Sequence, residues 1–273
     1  MIVVTGASGF IGSNLVKHLK GLGEEVLCVD YKKRNYTDDD IINPDEFLNN
    51  INEYGDIELI FHEGAISSTT ETDWKKLYNR NVRYTCDLMK YCFKRNIPFQ
   101  YASSASVYGN PSLEEWNNPD KEYSPLNRYA MSKVLCDDMA STLIKENKKS
   151  LIQGMRYFNV YGLNEDHKKG QSSPHHAFRT QLEETGKIKL FEGSKEFVRD
   201  FVSVNQVITQ KIFHLNTSPS GFYDVGTGKP KSFYDVAIES GASDDDIEWV
   251  PMPDNLKEHY QKYSIAVKNL LTK

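Results

Sequence analysis

Short apolar runs alternate with longer amphipathic stretches over the first two thirds of the chain. Ile2-Val3-Val4-Thr5 has the form of a buried strand, and Ile11–Leu22 follows with Ile11, Leu15, Val16 and Leu19 at helical spacing. Glu25–Asp30, Leu59–His62, Pro98–Ser104 and Leu151–Arg156 repeat the strand signal. Asp45–Glu53, Lys75–Lys94 and Tyr129–Lys145 repeat the helical one. Strands separated by helices of this length predict βαβ units. The expected fold class is therefore α/β, a doubly wound Rossmann-type parallel sheet with helices on both faces.

Beyond Asn159 the alternation fades. Lys189–Phe191, Phe201–Val202 and Ile247–Val250 read as short strands, with helices at Ala177–Glu184 and Val204–Leu215. The pattern predicts a large domain from residues 1–160 with about 204–226. A smaller C-terminal lobe, about 161–203 and 227–273, would sit over it.

Composition narrows the class. Hydrophobic residues make up 39% and charged residues 26% of 273, ordinary for a globular protein. A net charge of −5 lacks the basic footprint of a nucleic-acid binder. No apolar stretch approaches the roughly 20 residues of a membrane helix, and the first strand begins at Ile2, which leaves no room for a signal peptide. Cys28, Cys86, Cys92 and Cys136 show no CxxC spacing and read as reduced thiols. The expectation is a cytoplasmic protein with no membrane and no nucleic-acid partner. Asp38-Asp39-Asp40 and Asp244-Asp245-Asp246 read as solvated turns or helix starts, with a contact to an adenine left open for Asp40.

Two motifs carry chemistry. Gly6-Ala7-Ser8-Gly9-Phe10-Ile11-Gly12 follows a strand and opens a helix. The first glycine permits a tight turn, the second a close backbone approach to a pyrophosphate, the third close packing of helix on strand. Phosphates then meet unpaired N–H groups at the positive end of the helix dipole. Asp30 ends the next strand, where a ribose-binding acid belongs. It favours NAD, whereas Lys32-Lys33-Arg34 directly after it suits the 2′-phosphate of NADP. NADP is the preferred cofactor and NAD stays open.

The second motif is Tyr129-Ala130-Met131-Ser132-Lys133, which sets Tyr129 and Lys133 on one helix face. Ser104 ends the strand before it. A phenol is a poor base at neutral pH, a neighbouring ammonium stabilises the phenolate, and a serine hydroxyl orients the reacting oxygen. Together these types make a hydride-transfer site.

These residues resemble the extended short-chain dehydrogenase/reductases. More specifically, the chain is similar to the ADP-L-glycero-D-manno-heptose 6-epimerase family over nearly its whole length. The stretches that carry the likeness are His62-Glu63-Gly64-Ala65-Ile66-Ser67-Ser68-Thr69-Thr70-Glu71, Asn81-Val82 and Arg156-Tyr157-Phe158-Asn159-Val160-Tyr161-Gly162. Leu190-Phe191-Glu192-Gly193-Ser194, Arg199-Asp200-Phe201-Val202 and Pro253-Asp254-Asn255-Leu256-Lys257 with Tyr260 complete it. The resemblance implies redox epimerisation at C6 of a nucleotide-activated heptose through a transient ketone, which would supply a lipopolysaccharide core precursor. Because the carbonyl must turn over in the site, it implies two acid/bases, Tyr129 and Lys168. It further implies cofactor contacts from Tyr31, Lys32, Lys33, Asp40, Ile41, Glu63, Gly64, Ala65, Ser67, Asn81, Val160 and Lys168. Substrate contacts would come from Ser67, Ser104, Asn159, Phe191, Glu192, Gly193, Ser194, Arg199 and Tyr260, and the partner would be a nucleotide sugar bound by a homo-oligomer.

The chain departs from the family in three places. Gly170 stands where a substrate serine is expected. Ala177 stands where a histidine is expected, with His175, His176 or Arg179 as substitutes. The chain ends at Lys273, short of an expected C-terminal helix. The adjacent histidines have no carboxylate or cysteine partner at ligand spacing, so no metal is expected. Another nucleotide-sugar epimerase or reductase shares the Ser104/Tyr129/Lys133 chemistry. A dehydratase would carry Thr-Asp-Glu where this chain has Ser104-Ala105-Ser106. A catalytically silent cofactor-binding module is the reading from a different class.

Overall fold

The computed structural model describes residues 1–34, 39–116, 122–146, 149–254 and 261–266. Six strands form one parallel sheet: β1 (Ile2–Thr5), β2 (Val26–Val29), β3 (Leu59–His62), β4 (Phe99–Ser104), β5 (Ile152–Tyr157) and β10 (Gly221–Val225). Their spatial order is β10-β5-β4-β3-β1-β2. After β2 the chain returns to the far side of β1 to lay down β3, so the order reverses between β1 and β3. In such a sheet the crevice opens at this reversal, at the carboxyl ends of the strands. β1, β2 and β3 end level, Thr5 pairing with Val29 and His62, whereas β4 and β5 run three residues further: His62 pairs with Tyr101, and Ser104 pairs with Tyr157.

Alternate side chains serve opposite faces of the sheet. Val3, Val29, Ile60, Phe99 and Tyr101 point to one face. They pack there against Leu88, Met89 and Cys92 of α4 (Tyr84–Arg95) and Cys136, Ala140 and Leu143 of α6 (Arg128–Glu146). Ile2, Val4, Cys28, Leu59 and Phe61 point to the other. They meet Leu15, Val16 and Leu19 of α1 (Phe10–Gly21) and Ile208 of α8 (Val204–Thr217). Burial on both faces explains why these strands read as unbroken apolar runs.

The helix expected at Lys75–Lys94 is a longer segment in three parts. It comprises α3 (Trp74–Leu77), a π turn over Tyr78–Arg83, and α4. Between β2 and β3 lie α2 (Pro44–Asn49), capped by Asn43, and an isolated bridge from Val29 to Ile42. Two elements near α6 and β5 went unread in the sequence, the short α5 (Leu113–Trp116) and β6 (Asn159–Tyr161).

The C-terminal elements form a second apolar cluster around Phe178, Ile188, Leu190 and Val236. It is built by α7 (Pro174–Thr185), α9 (Phe233–Glu239), β7 (Ile188–Phe191) and β12 (Ile247–Val250), the two strands being parallel. β8 (Val198–Arg199) pairs with β11 (Lys231–Ser232), and β9 (Phe201–Ser203) pairs with β6. Two elements return to the large sheet. α8 begins at a capping box made by Ser203 and Gln206 and packs on α1, and β10 adds the edge strand. β10 was unreadable as a strand because Gly221 and Asp224 interrupt its five-residue run. Among the described residues no helix is long and apolar enough to cross a membrane.

Candidate functional site

A cleft of about 640 Å³ runs along the carboxyl ends of the strands, from the β1–α1 turn to the start of α7. Its floor is the glycine turn. Gly6 sits at φ +68°, and a Cβ there would lie 2.5 Å from the Gly64 nitrogen. A Cβ on Gly12 would fall 2.0 Å from the Gly6 carbonyl oxygen. The turn and α1 therefore pack backbone to backbone. Gly9 is the N-cap of α1 and supplies no side-chain cap, so the first N–H groups of the helix face the cleft where Phe10, Ile11 and Gly12 line it. This geometry suits a pyrophosphate.

Asp30 lines the same end. Its carboxylate accepts from the Ser8 N–H at 3.0 Å and the Tyr31 N–H at 2.7 Å, which aims it across the turn. Of the basic triplet, Arg34 alone lines the cleft, donating to the Ser8 carbonyl at 2.9 Å and lying 4.0 Å from Asp30. Lys32, Lys33 and Asp40 are exposed and outside the lining; Ile41, also outside it, is half-buried against the apolar cluster under α1. Arg80 enters from the π turn, its guanidinium 3.6 Å over the Tyr31 ring, and both residues line the cleft. Nothing in the sequence around Arg80 marks it, since a charged helix residue is usually solvated; its place depends on the π turn.

Glu63, Gly64, Ala65 and Ser67 line the wall beyond β3. Asn81 is fully buried and outside the lining. Its amide holds both the N–H and the carbonyl of Ile66 and reaches Ser132, so it supports that wall from behind. His62 is buried, bonds Thr5 and Thr85 by its two ring nitrogens, and is driven to a pKa of about 3 by burial and by the Lys133 and Lys211 cations.

Ser104, Tyr129 and Lys133 come together in the cleft, the first from the end of β4 and the others from one face of α6. Lys133 is buried, and its ammonium donates to the Ala102 carbonyl at 2.7 Å and lies 5.9 Å from the Tyr129 ring centre. The Ser104 hydroxyl accepts from the Ser106 N–H at 3.2 Å and the Ser106 hydroxyl at 2.9 Å, which leaves its own proton to donate.

Asn159, Val160 and Lys168 line the facing side. The Lys168 ammonium lies 4.9 Å over the Phe10 ring, and burial pushes its pKa down against the opposing pull of Glu165. Glu165 is buried and accepts from Gly162, Ser173 and the Ser173 hydroxyl, which closes this loop on itself. Gln171 reaches across to Ser68 at 2.6 Å, joining the two loops that wall the cleft. Tyr157, Tyr84, Thr69, His167 and Ser173 also line it and were not picked out as site residues.

The other substrate candidates lie outside the lining. His175 stacks on Tyr161 with ring centres 3.9 Å apart, and His176 pairs with Asp166 at 3.0 Å. Phe191 ends β7, and Glu192, Gly193 and Ser194 form the turn after it, with Gly193 at φ +90° against the Phe197 ring. Arg199 is buried, donates to the Val198 carbonyl and lies 5.4 Å from the Phe233 ring centre. Tyr260 and the Asn255-Leu256-Lys257 stretch lie outside the described residues.

A glycine cradle backed by an acid, leading to a Ser/Tyr/Lys set in one cleft, fits a nicotinamide dinucleotide. Comparison with known proteins agrees. Among solved structures, the Helicobacter pylori ADP-L-glycero-D-manno-heptose-6-epimerase matches with a TM-score of 0.83 and 26% identity, over 97% of this chain and 86% of that one. A Thermus thermophilus UDP-glucose 4-epimerase in complex with NAD matches at 0.82 and 23%, over 97% and 89%. A Methanobrevibacter ruminantium UDP-N-acetylglucosamine 4-epimerase matches at 0.82 and 23%, over 98% and 90%. The last two share the fold. A family model covers residues 2–226, which hold the whole glycine cradle and the Ser104, Tyr129 and Lys133 set, and by that match the chain belongs to the NAD dependent epimerase/dehydratase family.

Proposed function

We propose that the protein inverts C6 of ADP-D-glycero-D-manno-heptose, giving the L-glycero isomer through a transient 6-ketone, with NADP as resident cofactor. The observation that carries this reading is that Tyr129 with Lys133 and Ser104, and Lys168 from the opposite loop, line one cleft with the glycine cradle. The heptose assignment draws on the sequence resemblance and on the likeness to the Helicobacter enzyme over 97% of the chain. The product would feed lipopolysaccharide core synthesis in the cytoplasm, and a homo-oligomer is part of the same proposal.

When bound, the dinucleotide supplies reversible uptake and return of a hydride. Gly6, Gly9 and Gly12 would let backbone N–H groups hold its phosphates, Arg34 would meet the 2′-phosphate of NADP, and Asp30 would accept from the 3′-hydroxyl that NADP leaves free. Tyr129 takes the proton of the C6 hydroxyl as the carbon is oxidised. The Lys133 cation stabilises the phenolate, and Ser104 donates to the forming carbonyl oxygen. The ketone then turns over, which moves its oxygen away from Tyr129 toward Lys168. An ammonium whose pKa burial has lowered gives up a proton readily and would protonate that oxygen as the carbon takes the hydride back, and the proton left on Tyr129 would pass through solvent to Lys168 before the next turnover.

The test is incubation of purified protein with ADP-D-glycero-D-manno-heptose and no added cofactor, with the sugar followed by NMR. The L-glycero isomer is expected. Turnover of UDP-glucose in its place would overturn the heptose assignment. Retained nucleotide with no sugar changed would favour a binding module.

A further inference from the structure

Lys211 is an anomaly. It lies on α8, at the end of the chain's return from the C-terminal lobe, and its side chain is fully buried. Its ammonium sits 2.6 Å from the Glu63 carboxylate, whose side chain is only 2% exposed, and 4.9 Å from the Phe61 ring centre. The Tyr157 hydroxyl donates to both Glu63 oxygens, at 3.0 and 2.9 Å. Glu63 and Tyr157 line the cleft, and Lys211 does not. Gly64, the next residue, is the one against which Gly6 packs.

Apolar side chains would hold α8 to the sheet at no desolvation cost, and Val207 and Ile208 beside Lys211 already do so. The ions therefore need another reason, and their position supplies it: Glu63 is part of the wall with Gly64 and Tyr157, and Lys211 sits directly behind it. We propose that Lys211 is a positioning residue for the dinucleotide, balancing the charge of Glu63 so that this wall keeps its shape. The proposal rests on reading the cleft as a dinucleotide site and does not depend on which sugar is turned over.

The titratable groups around the pair come from every neighbouring element: His62 and Glu63 itself at the end of β3, Tyr157 from β5, Lys133 from α6 and Lys211 from α8. His62 is held neutral by burial, and Tyr157 is pushed far above the usual phenol range by burial and by Glu63. Lys211 is drawn down by burial and held up by Glu63. Removing one ion leaves the other as the unbalanced buried charge, and the two removals have opposite pH signatures. Lys211→Met leaves a carboxylate, which is neutral and harmless only when protonated, so its defect grows as pH rises. Glu63→Gln leaves an ammonium, which is harmless only when deprotonated, so its defect grows as pH falls. The double variant carries neither charge.

The experiment measures binding of NADPH and NADH by fluorescence at pH 6 and pH 8.5, with the thermal unfolding midpoint alongside. Lys211→Met should bind the preferred dinucleotide at least tenfold more weakly at pH 8.5 and show a smaller loss at pH 6 (order of magnitude from one unbalanced charge). Glu63→Gln should show the opposite trend, and in Glu63→Gln/Lys211→Met the ratio to parent binding should be the same at both pH values to within about threefold. The proposal fails if the single variants bind as the parent does while only the unfolding midpoint moves, or if their losses do not depend on pH. Should a single variant not fold, the double variant decides. Binding whose ratio to the parent is the same at pH 6 and pH 8.5 supports charge balance. A loss that still changes with pH once both charges are gone overturns it. Because binding is read without sugar, loss of the epimerase assignment would leave this result standing.

Discussion

Consider Gly12→Ala. The added Cβ would meet the Gly6 carbonyl oxygen at 2.0 Å, the Gly6 carbonyl carbon at 2.7 Å and the Ala7 Cα at 3.2 Å. Ordinary contact begins at 3.4 Å, so α1 must retreat from the turn by about 1.4 Å. The obstacles are backbone atoms, which cannot rotate aside. Strain of this kind costs about 1–3 kcal/mol of stability. The retreat also carries the first N–H groups of α1 away from the phosphates. Each hydrogen bond to a charged group is worth about 1.5–3 kcal/mol, so losing one weakens binding by about tenfold to a hundredfold. Gly21, in the last turn of the same helix, is the control. A Cβ there meets nothing within 4 Å, and Gly21→Ala should gain up to about 1 kcal/mol from helix propensity with binding unchanged. Fluorescence titration with NADPH and urea unfolding read the two effects separately. A Gly12→Ala protein that binds NADPH within threefold of the parent would show that the phosphates do not sit on this helix.

Tyr129→Phe should abolish epimerisation while leaving dinucleotide binding within a few-fold, as measured by NMR turnover and fluorescence. Lys168→Met should likewise stop turnover, and in single-turnover form should leave the 6-ketone or its hydrate detectable; full turnover would remove Lys168 from the chemistry. Arg34→Ala should weaken NADPH about tenfold or more and NADH by less than threefold, the value of one charge-assisted contact to a 2′-phosphate; equal losses for both would argue against NADP. His62 has its folded pKa lowered from 6.5 to about 3, so the native state stays neutral while the unfolded chain takes up a proton. Stability therefore falls as pH drops below 6.5, by up to about 1.4 kcal/mol per unit for this group. His62→Gln should flatten that slope in urea unfolding between pH 6.5 and 4, and an unchanged slope would refute the assignment.

What the sequence determined by itself was local and periodic. A run such as Ile2-Val3-Val4-Thr5 must bury two faces, and Gly6 and Gly12 must let backbones touch, whatever the rest of the chain does. Tyr129 and Lys133 share a face because a helix repeats every 3.6 residues. The cradle, the sheet and the Ser104/Tyr129/Lys133 set were therefore legible before any coordinates.

Tertiary structure decided the rest, because burial of a polar side chain depends on partners remote in the chain. Lys32, Lys33 and Arg34 read alike, yet only Arg34 turns into the cleft, where the Ser8 carbonyl receives it. Asn81 reads as a cofactor contact, and only the fold shows its amide bonded to Ile66 and Ser132 behind the wall. Nothing in the sequence singles out Lys211, and it is buried because Glu63, 148 positions away, supplies the opposing charge. Pattern along a chain tells which groups avoid water; only the packed molecule supplies the partner that lets a charged one do so.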